Sequence, residues 1–549
     1  MPPLRPGSRR FPLRVVRLAP RSLALGWALG GALAWAIPGS ASAAPGQGLR
    51  LGGIEPQGPA SRAVTAIHHN PAMLAAIPGT AVHASFSTGI EQQRIRRSAI
   101  DPATGEPLSE LRTPTSLAHL GLGYFVGASL YFEPIAVGVG VYDLGSRYRL
   151  TSAEPLRYHL APDPDPGCVG PGLSRCPPNG GSVESRHDIT TALAWNGGRV
   201  KLGAALHLPL VRERFAFDDD TALASLDPDA STAGCTDKED PACTERVGFK
   251  GWTQWIPRDG APSGFDFALT VGAAIGLNND TITLGARYRS PPLRRGGEVL
   301  LGGVGVVCRP EAEVGPEGDL GDQVPPCEVA DPVGATLRQR LPQQVALGGS
   351  FLLGRSRTWR LDLDLYWMDL CPGGLRATRC PTGGSQTLRL IGLDRGSATL
   401  PELSRFRGKA DLYGFDAFAR YRVQTNLFVL AAAHLASPAV RRGATTAADD
   451  EGWRIGTSLG ARVRIPKVDL VLVPGYGFDM LLPRTVGPDD ALFSPADATA
   501  FVNGSGDINA PGAAGVLDGR GRPSNAGRYF GMLHTVSLAV MWGEREVLD

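Results

Sequence analysis

From Thr80 onward the chain repeats one pattern, in which apolar and polar residues alternate at every second position. Ile282, Leu284, Ala286 and Tyr288 alternate with Thr281, Thr283, Arg287 and Arg289. Leu361, Leu363, Leu365 and Trp367 alternate with Arg360, Asp362, Asp364 and Tyr366, and Trp453, Ile455, Leu459, Ala461 and Val463 with Arg454, Ser458, Arg462 and Arg464. Such alternation marks strands with two unlike faces, one fit for lipid and the other for water or polar cargo. The runs are about twice as long as the strands of a soluble sandwich. About fourteen strands fit, an even number as single-chain bacterial barrels require. They are expected near 80–96, 116–131, 134–150, 184–195, 199–216, 264–277, 281–298, 338–353, 358–371, 406–423, 427–441, 452–464, 467–482 and 529–542.

The connections alternate too. Short turns fall at Phe132-Glu133, Asn196 to Gly198, Asn278 to Asp280, Gly354 to Arg357, Gln424 to Asn426 and Ile465-Pro466. Long ones occupy 97–115, 151–183, 217–263, 299–337, 372–405, 442–451 and 483–528. In an up-and-down barrel this puts all turns at one end and all loops at the other, as in bacterial outer-membrane barrels. Closure is obligatory, because hydrocarbon tolerates no unpaired strand edge. The predicted fold class is therefore all-β, a membrane-spanning antiparallel barrel in the Gram-negative outer membrane.

The N-terminus fits export to that location. Arg5, Arg9, Arg10, Arg14, Arg17 and Arg21 precede an apolar run from Leu23 to Ala36, and Ala41-Ser42-Ala43 supplies a small-x-small cleavage site. Residues 1–43 thus read as a signal peptide. The net charge of +2 encourages no nucleic-acid partner. Eight cysteines fall in local pairs, Cys168 with Cys176, Cys235 with Cys243, Cys308 with Cys327 and Cys371 with Cys380, all in or beside long connections. Spacing offers disulfide staples for loops in an oxidising compartment, although other connectivities exist. No CxxC is present, and no metal or cofactor is expected.

Between cleavage site and first strand lies GPASRAVTAIHHNPAMLAAIPGT, Gly58 to Thr80. Its Asn70-Pro71-Ala72 resembles the FadL-type outer-membrane transport family, which carries long-chain fatty acids and, in TodX-like members, aromatic hydrocarbons. LGARYRSP (Leu284 to Pro291) is similar to that family's Gly-x-x-Tyr-Arg-Ser strand end, and LPQQVALGGSF (Leu341 to Phe351) to its Leu-Pro strand start. The resemblance implies a hatch, or plug, over 44–79, a barrel over 80–542 and a tail over 543–549. It also implies that Asn70, Pro71 and Ala72 gate the barrel; a turn that merely caps a helix is the equal alternative. The tail departs from the usual aromatic barrel terminus, since seven residues follow Trp542.

The resemblance implies an apolar ligand caught among external loops and passed inward by passive, ligand-gated diffusion. FKGWTQWIP in the third long loop places Phe249, Trp252, Trp255 and Ile256 close together, as a binding cluster, a loop mini-core or an interfacial belt. EVLLGGVGVV (Glu298 to Val307) offers an opposing apolar surface. Arg287, Arg289, Arg420 and Arg422 are inward candidates for a carboxylate head group, or members of charge ladders bracing the lumen. Expected partners are the hydrophobic ligand, outer-membrane lipid and lipopolysaccharide, and the barrel-assembly machinery, around a monomer. The rivals are a nonspecific porin, an adhesive or structural loop-display barrel and an outer-membrane enzyme. For the last, one GxSxG match, Gly456 to Gly460, lies inside an alternating strand without the turn such a nucleophile needs.

Overall fold

The computed structural model describes residues 53–55, 58–100, 107–111, 115–143, 146–149, 156–157, 183–219, 245–253, 266–278, 280–308, 333–354, 357–370, 386–391, 394–395, 398–399, 403–405, 409–445, 452–487, 490 and 526–543. The signal peptide, Trp255, Ile256, the tail beyond Gly543 and the side chains of all eight cysteines lie outside the described residues.

Alternation produces the wall. Fourteen strands close it: β1 (Thr80–Ile100), β2 (Thr115–Phe132), β3 (Ile135–Asp143), β4 (Val183–Gly197), β5 (Val200–Asp219), β6 (Ala268–Leu277), β7 (Ile282–Arg289), β8 (Gln343–Leu353), β9 (Trp359–Asp369), β10 (Leu412–Gln424), β11 (Leu427–Ala436), β12 (Arg454–Ile465), β13 (Leu470–Val486) and β14 (Gly527–Trp542). Each runs antiparallel to the next, and β14 returns to β1 in continuous register from Val82↔Trp542 to Arg97↔Gly527. The strands flanking every expected short turn pair with each other. Positive φ at Asn278, Asp280, Arg357 and Asp469 occurs at three of these turns, where tight reversals demand it.

The two wall faces differ as the sequence predicts. Leu202, Leu284, Leu365, Val429, Leu459 and Leu538 stand exposed on the outside. Arg287, Arg289, Arg360, Asp362, Arg454 and Arg462 are buried inside. The inner charges pair: Arg454 with Glu91 at 3.4 Å, Arg360 with Asp362 at 2.9 Å and Arg462 with Glu55 at 2.8 Å. An apolar outside around a polar inside inverts a soluble protein and suits hydrocarbon.

The long-loop end departs from expectation. The seventh strand stops at Arg289 instead of reaching 298, and the eighth begins at Gln343 instead of 338. The tenth begins at Leu412 and the eleventh ends at Ala436, while β3 stops at Asp143 and resumes over Ser146–Arg149. Further strands, Glu245–Thr253, Glu298–Cys308, Val333–Arg340 and Gln386–Ile391, occupy stretches assigned wholly or partly to loops. They pair in the order β5, 245–253, 298–308, 333–340, 386–391. This repeats the order of the wall below, where β5, β6, β7, β8 and β9 are neighbours. The wall therefore has a second storey, offset from the first at Pro291-Pro292 and Leu341-Pro342, where proline cannot donate to a ladder.

Replacing outward Leu459, 64% exposed midway along β12, by Lys is expected to cost about 2–4 kcal/mol of stability in lipid. Reversible unfolding in bilayers measures this; no loss would mean that this face does not meet hydrocarbon.

Candidate functional site

The segment preceding β1 packs against the inner wall. Its polypeptide forms one helical turn, Ala66–His69, then a 3-10 helix, Pro71–Ala76. Asn70 joins the two and is fully buried. Its Oδ1 accepts the Ala72 N–H at 3.2 Å, capping the second helix, while Pro71 occupies the first turn, where no N–H is needed. Its Nδ2 donates to the Pro59 carbonyl at 2.6 Å and to the Ala273 carbonyl of β6 at 3.0 Å. Asn70 is thus both a cap and a tie to the wall, and Ala72 is buried at 0% exposure.

The wall receives this segment through glycines. A Cβ on Gly203 of β5 would strike Pro71 and Ala72, and one on Gly272 of β6 would strike the Asn70 side chain. At Gly285 of β7 it would strike the Pro59 carbonyl, and at Gly348 of β8 it would meet Pro59 and the Asp364 carboxylate. Gly203 pairs with Gly272, and Gly285 with Gly348, and a two-residue step between β6 and β7 joins the two pairs into one diagonal glycine path over four adjacent strands. Close backbone approach is what an in-strand glycine permits. Beside the strip, Ile67, Met73 and Leu74 form an apolar cluster with Phe125 and Tyr142.

A buried polar network links the same segment to six strands, β3 to β8. Asp188 of β4 pairs with Arg289, and Arg186 Nε lies 3.7 Å from its other oxygen. Arg289 also donates to His68 Nδ1 at 3.3 Å, and Arg287 donates to the His68 carbonyl at 2.9 Å and to Gln344 at 3.1 Å. Tyr142 Oη lies 3.0 Å from His68 Nδ1 and 2.9 Å from His207 Nδ1, while Thr190 donates to Tyr142 at 2.9 Å. His207 Nε2 completes the chain 2.7 Å from Thr270. Burial, then the nearby His69, Arg287 and Arg289 charges, holds the His68 imidazole well below its usual range, so the ring is neutral and can accept.

Arg287 and Arg289 are therefore engaged by the N-terminal segment, Gln344 and Asp188, and stand apart from the other two candidates. Arg420 lies over the Phe428 ring at 5.0 Å, and Arg422 sits half-buried at the short-turn end of β10. In the upper storey, Phe249 and Trp252 take opposite faces, as residues three apart in a strand must. Phe249 is fully buried, 5.7 Å from the Phe215 ring, and clusters with Val211, Val299, Leu301, Leu337 and Leu388. Trp252 is 48% exposed on the other face. EVLLGGVGVV is its partner strand in register, Gly302 opposite Trp252 and Gly305 opposite Phe249. The inner surface thus changes character: charged and packed against the N-terminal segment below, mainly apolar above, where Gln386 donates to the buried Glu213.

Sequence reasoning missed Tyr142, Asp188, His207 and the glycine strip. Asp188 and His207 lie on the inward parity of their strands, which was a usable signal. The glycines line up only once strand register is known.

No family model and no curated protein matches the chain. Solved structures do. A Pseudomonas aeruginosa FadL homologue matches with a TM-score of 0.58 at 13% identity, over 93% of this chain and 99% of that one. The chain has the FadL-type fold. The P. putida toluene transporter TodX matches with a TM-score of 0.50 at 11% identity, over 89% of this chain and 99% of that one. The FadL-type fold sets the wall and its strand order, and the glycine strip and the Asp188–Arg289 pair are read from this chain's own residues.

Replacing Gly285 by Val is expected to unseat the segment while the wall still closes. Faster proteolysis within residues 58–79 and a larger single-channel conductance would show it, and unchanged values would discard the seat. A second outcome concerns acidity. The folded His68 value lies below the unfolded one of about 6.5, so the native state binds fewer protons and seating weakens as pH falls below that value. Protease protection of residues 58–79 should drop between about pH 7 and pH 5, and His68→Gln should lessen that drop, with His69 supplying part of the rest.

Proposed function

We propose that the protein takes up hydrophobic small molecules across the outer membrane, as a monomeric barrel whose residues 44–79 act as a hatch. Long-chain fatty acids and related apolar compounds are the cargo class, and passage is passive diffusion gated by the hatch, with no chemistry performed on the cargo. The observation that carries this reading is the mainly apolar inner face at the long-loop end, centred on Phe249 and Phe215, above inner-wall strands against which the N-terminal segment packs. An open, nonspecific pore has no use for either feature. A FadL homologue and a toluene transporter with the same fold support the choice. Ser458, the residue a hydrolase reading would need, sits within the uninterrupted strand Arg454–Ile465, without the sharp turn that exposes a nucleophile.

With Arg287 and Arg289 tied to the hatch and to Asp188, binding falls mainly on the apolar body of the cargo. Each CH₂ moved from water to this face contributes about 0.8 kcal/mol. Saturable binding of a long-chain fatty acid and of a monoaromatic hydrocarbon to the purified barrel is therefore expected. Phe249→Asp should weaken both by about tenfold or more, while Trp252→Ala, on the opposite face, should leave them nearly unchanged. Equal binding by wild type and Phe249→Asp would remove the basis for this assignment.

A further inference from the structure

Strand β5 marks where the bilayer ends. Its outward positions are Val200, Leu202, Ala204, Leu206, Leu208 and Leu210, and then Arg212 and Arg214. The register of β5 with β4 is continuous from Val200 to Arg214, so these residues all face one way. Ten residue steps of about 3.4 Å at a tilt of about 40° rise about 26 Å, which matches the roughly 25 Å apolar band of such barrels. The two arginines therefore stand at the level of lipid head groups.

The upper storey widens this point into a face. Arg212 pairs with Trp252, Trp252 with Gly302, Gly302 with Thr336 and Thr336 with Arg389. One row higher, Arg214, Lys250, Val304, Gly334 and Ile391 are aligned; one row lower, Leu300, Arg338 and Thr387; and below that Glu298 and Arg340. Residues opposed in a ladder share a face, so Arg212, Arg214, Lys250, Arg338, Arg340 and Arg389 lie together. All six are exposed or half-buried, and Glu298 is the one acid within these four rows. Five strands spaced about 4.8 Å apart make it about 19 Å wide. Trp252 and Val304, exposed at 48% and 39%, give it apolar points of contact.

We propose that this face binds the phosphate-bearing head groups of anionic glycolipid in the leaflet around the long-loop end of the barrel. Cations directly above an apolar band, with an exposed tryptophan among them, fit a molecule whose acyl chains lie along Leu202 to Leu210 while its phosphates reach the arginines. The guanidinium fork suits phosphate oxygens, and five of the six cations are arginine. A soluble anionic partner would have no use for the apolar stretch beneath. The proposal rests on the membrane placement in the reading above and is independent of the cargo.

The test uses full-length barrel in neutral detergent and a diphosphorylated acylated disaccharide, lipid A, as probe, with native mass spectrometry as readout. Its dephosphorylated form and inorganic phosphate serve as separate arms. Saturable retention of the phosphorylated lipid is expected, weaker at high salt. It should be about a hundredfold weaker in the triple variant Arg338→Gln, Arg340→Gln, Arg389→Gln. The triple variant Arg199→Gln, Arg357→Gln, Lys467→Gln, at the short-turn end, should bind normally. Heat-dependent gel mobility verifies that each variant is folded, and single Arg389→Gln gives a milder step should the triple misfold. Equal retention of the dephosphorylated lipid, displacement by millimolar inorganic phosphate, or equal loss in the short-turn triple would each overturn the proposal. Phe249→Asp should leave lipid retention intact, so failure of the uptake reading is distinguishable from failure here.

Discussion

A wall whose outer face is apolar must pair every strand amide with another strand, because nothing outside can take that role. Most of the described structure follows from this requirement. It forces β14 back onto β1, and it obliges the inner face to carry the polar half of the alternation. An inner face rich in Arg, Asp and Glu must then satisfy itself. It does so by cross-strand pairs such as Arg454–Glu91 and by pairs to the N-terminal segment such as Arg462–Glu55. Leaving one partner of such a buried pair alone costs several kcal/mol, so the segment is part of the electrostatic balance of the wall.

The fold was legible in the sequence to the extent that two-residue periodicity persisted. Where one face met lipid and the other the lumen, as along Leu459 and Arg462, strand, turn and orientation could all be read. The upper storey escaped because its strands are apolar on both sides in places: Leu300 and Val306 are buried as well as Leu301. With such a strand the alternation fades, and Pro-Pro and Gly-Gly beside it resemble a loop. Phe249 and Trp252 were grouped by proximity in sequence, whereas their odd and even positions already placed them on opposite faces.

The candidate site was less legible, since much of it is made of missing side chains. Gly203, Gly272, Gly285 and Gly348 create a seat only in combination, and their alignment depends on three strand registers that no single stretch of sequence encodes. The Asp188–Arg289 pair likewise joins β4 to β7 over the inner face of the two strands between them. Asn70-Pro71-Ala72 was visible as a motif, and the structure adds its physical content: one amide side chain caps a helix, ties two turns together and holds the wall.

The register Val82↔Trp542 joins residues separated by 460 positions (542 − 82). Loop-closure entropy grows with that separation, so from the unfolded chain this seam is the costliest contact in the wall to bring together. The segment that packs against the inner wall directly precedes β1 in the chain, so it is tethered to one side of this seam. Of all the pairings in the wall, this seam thus closes the longest stretch of chain, and a change in its register would be felt at both ends of the barrel sequence.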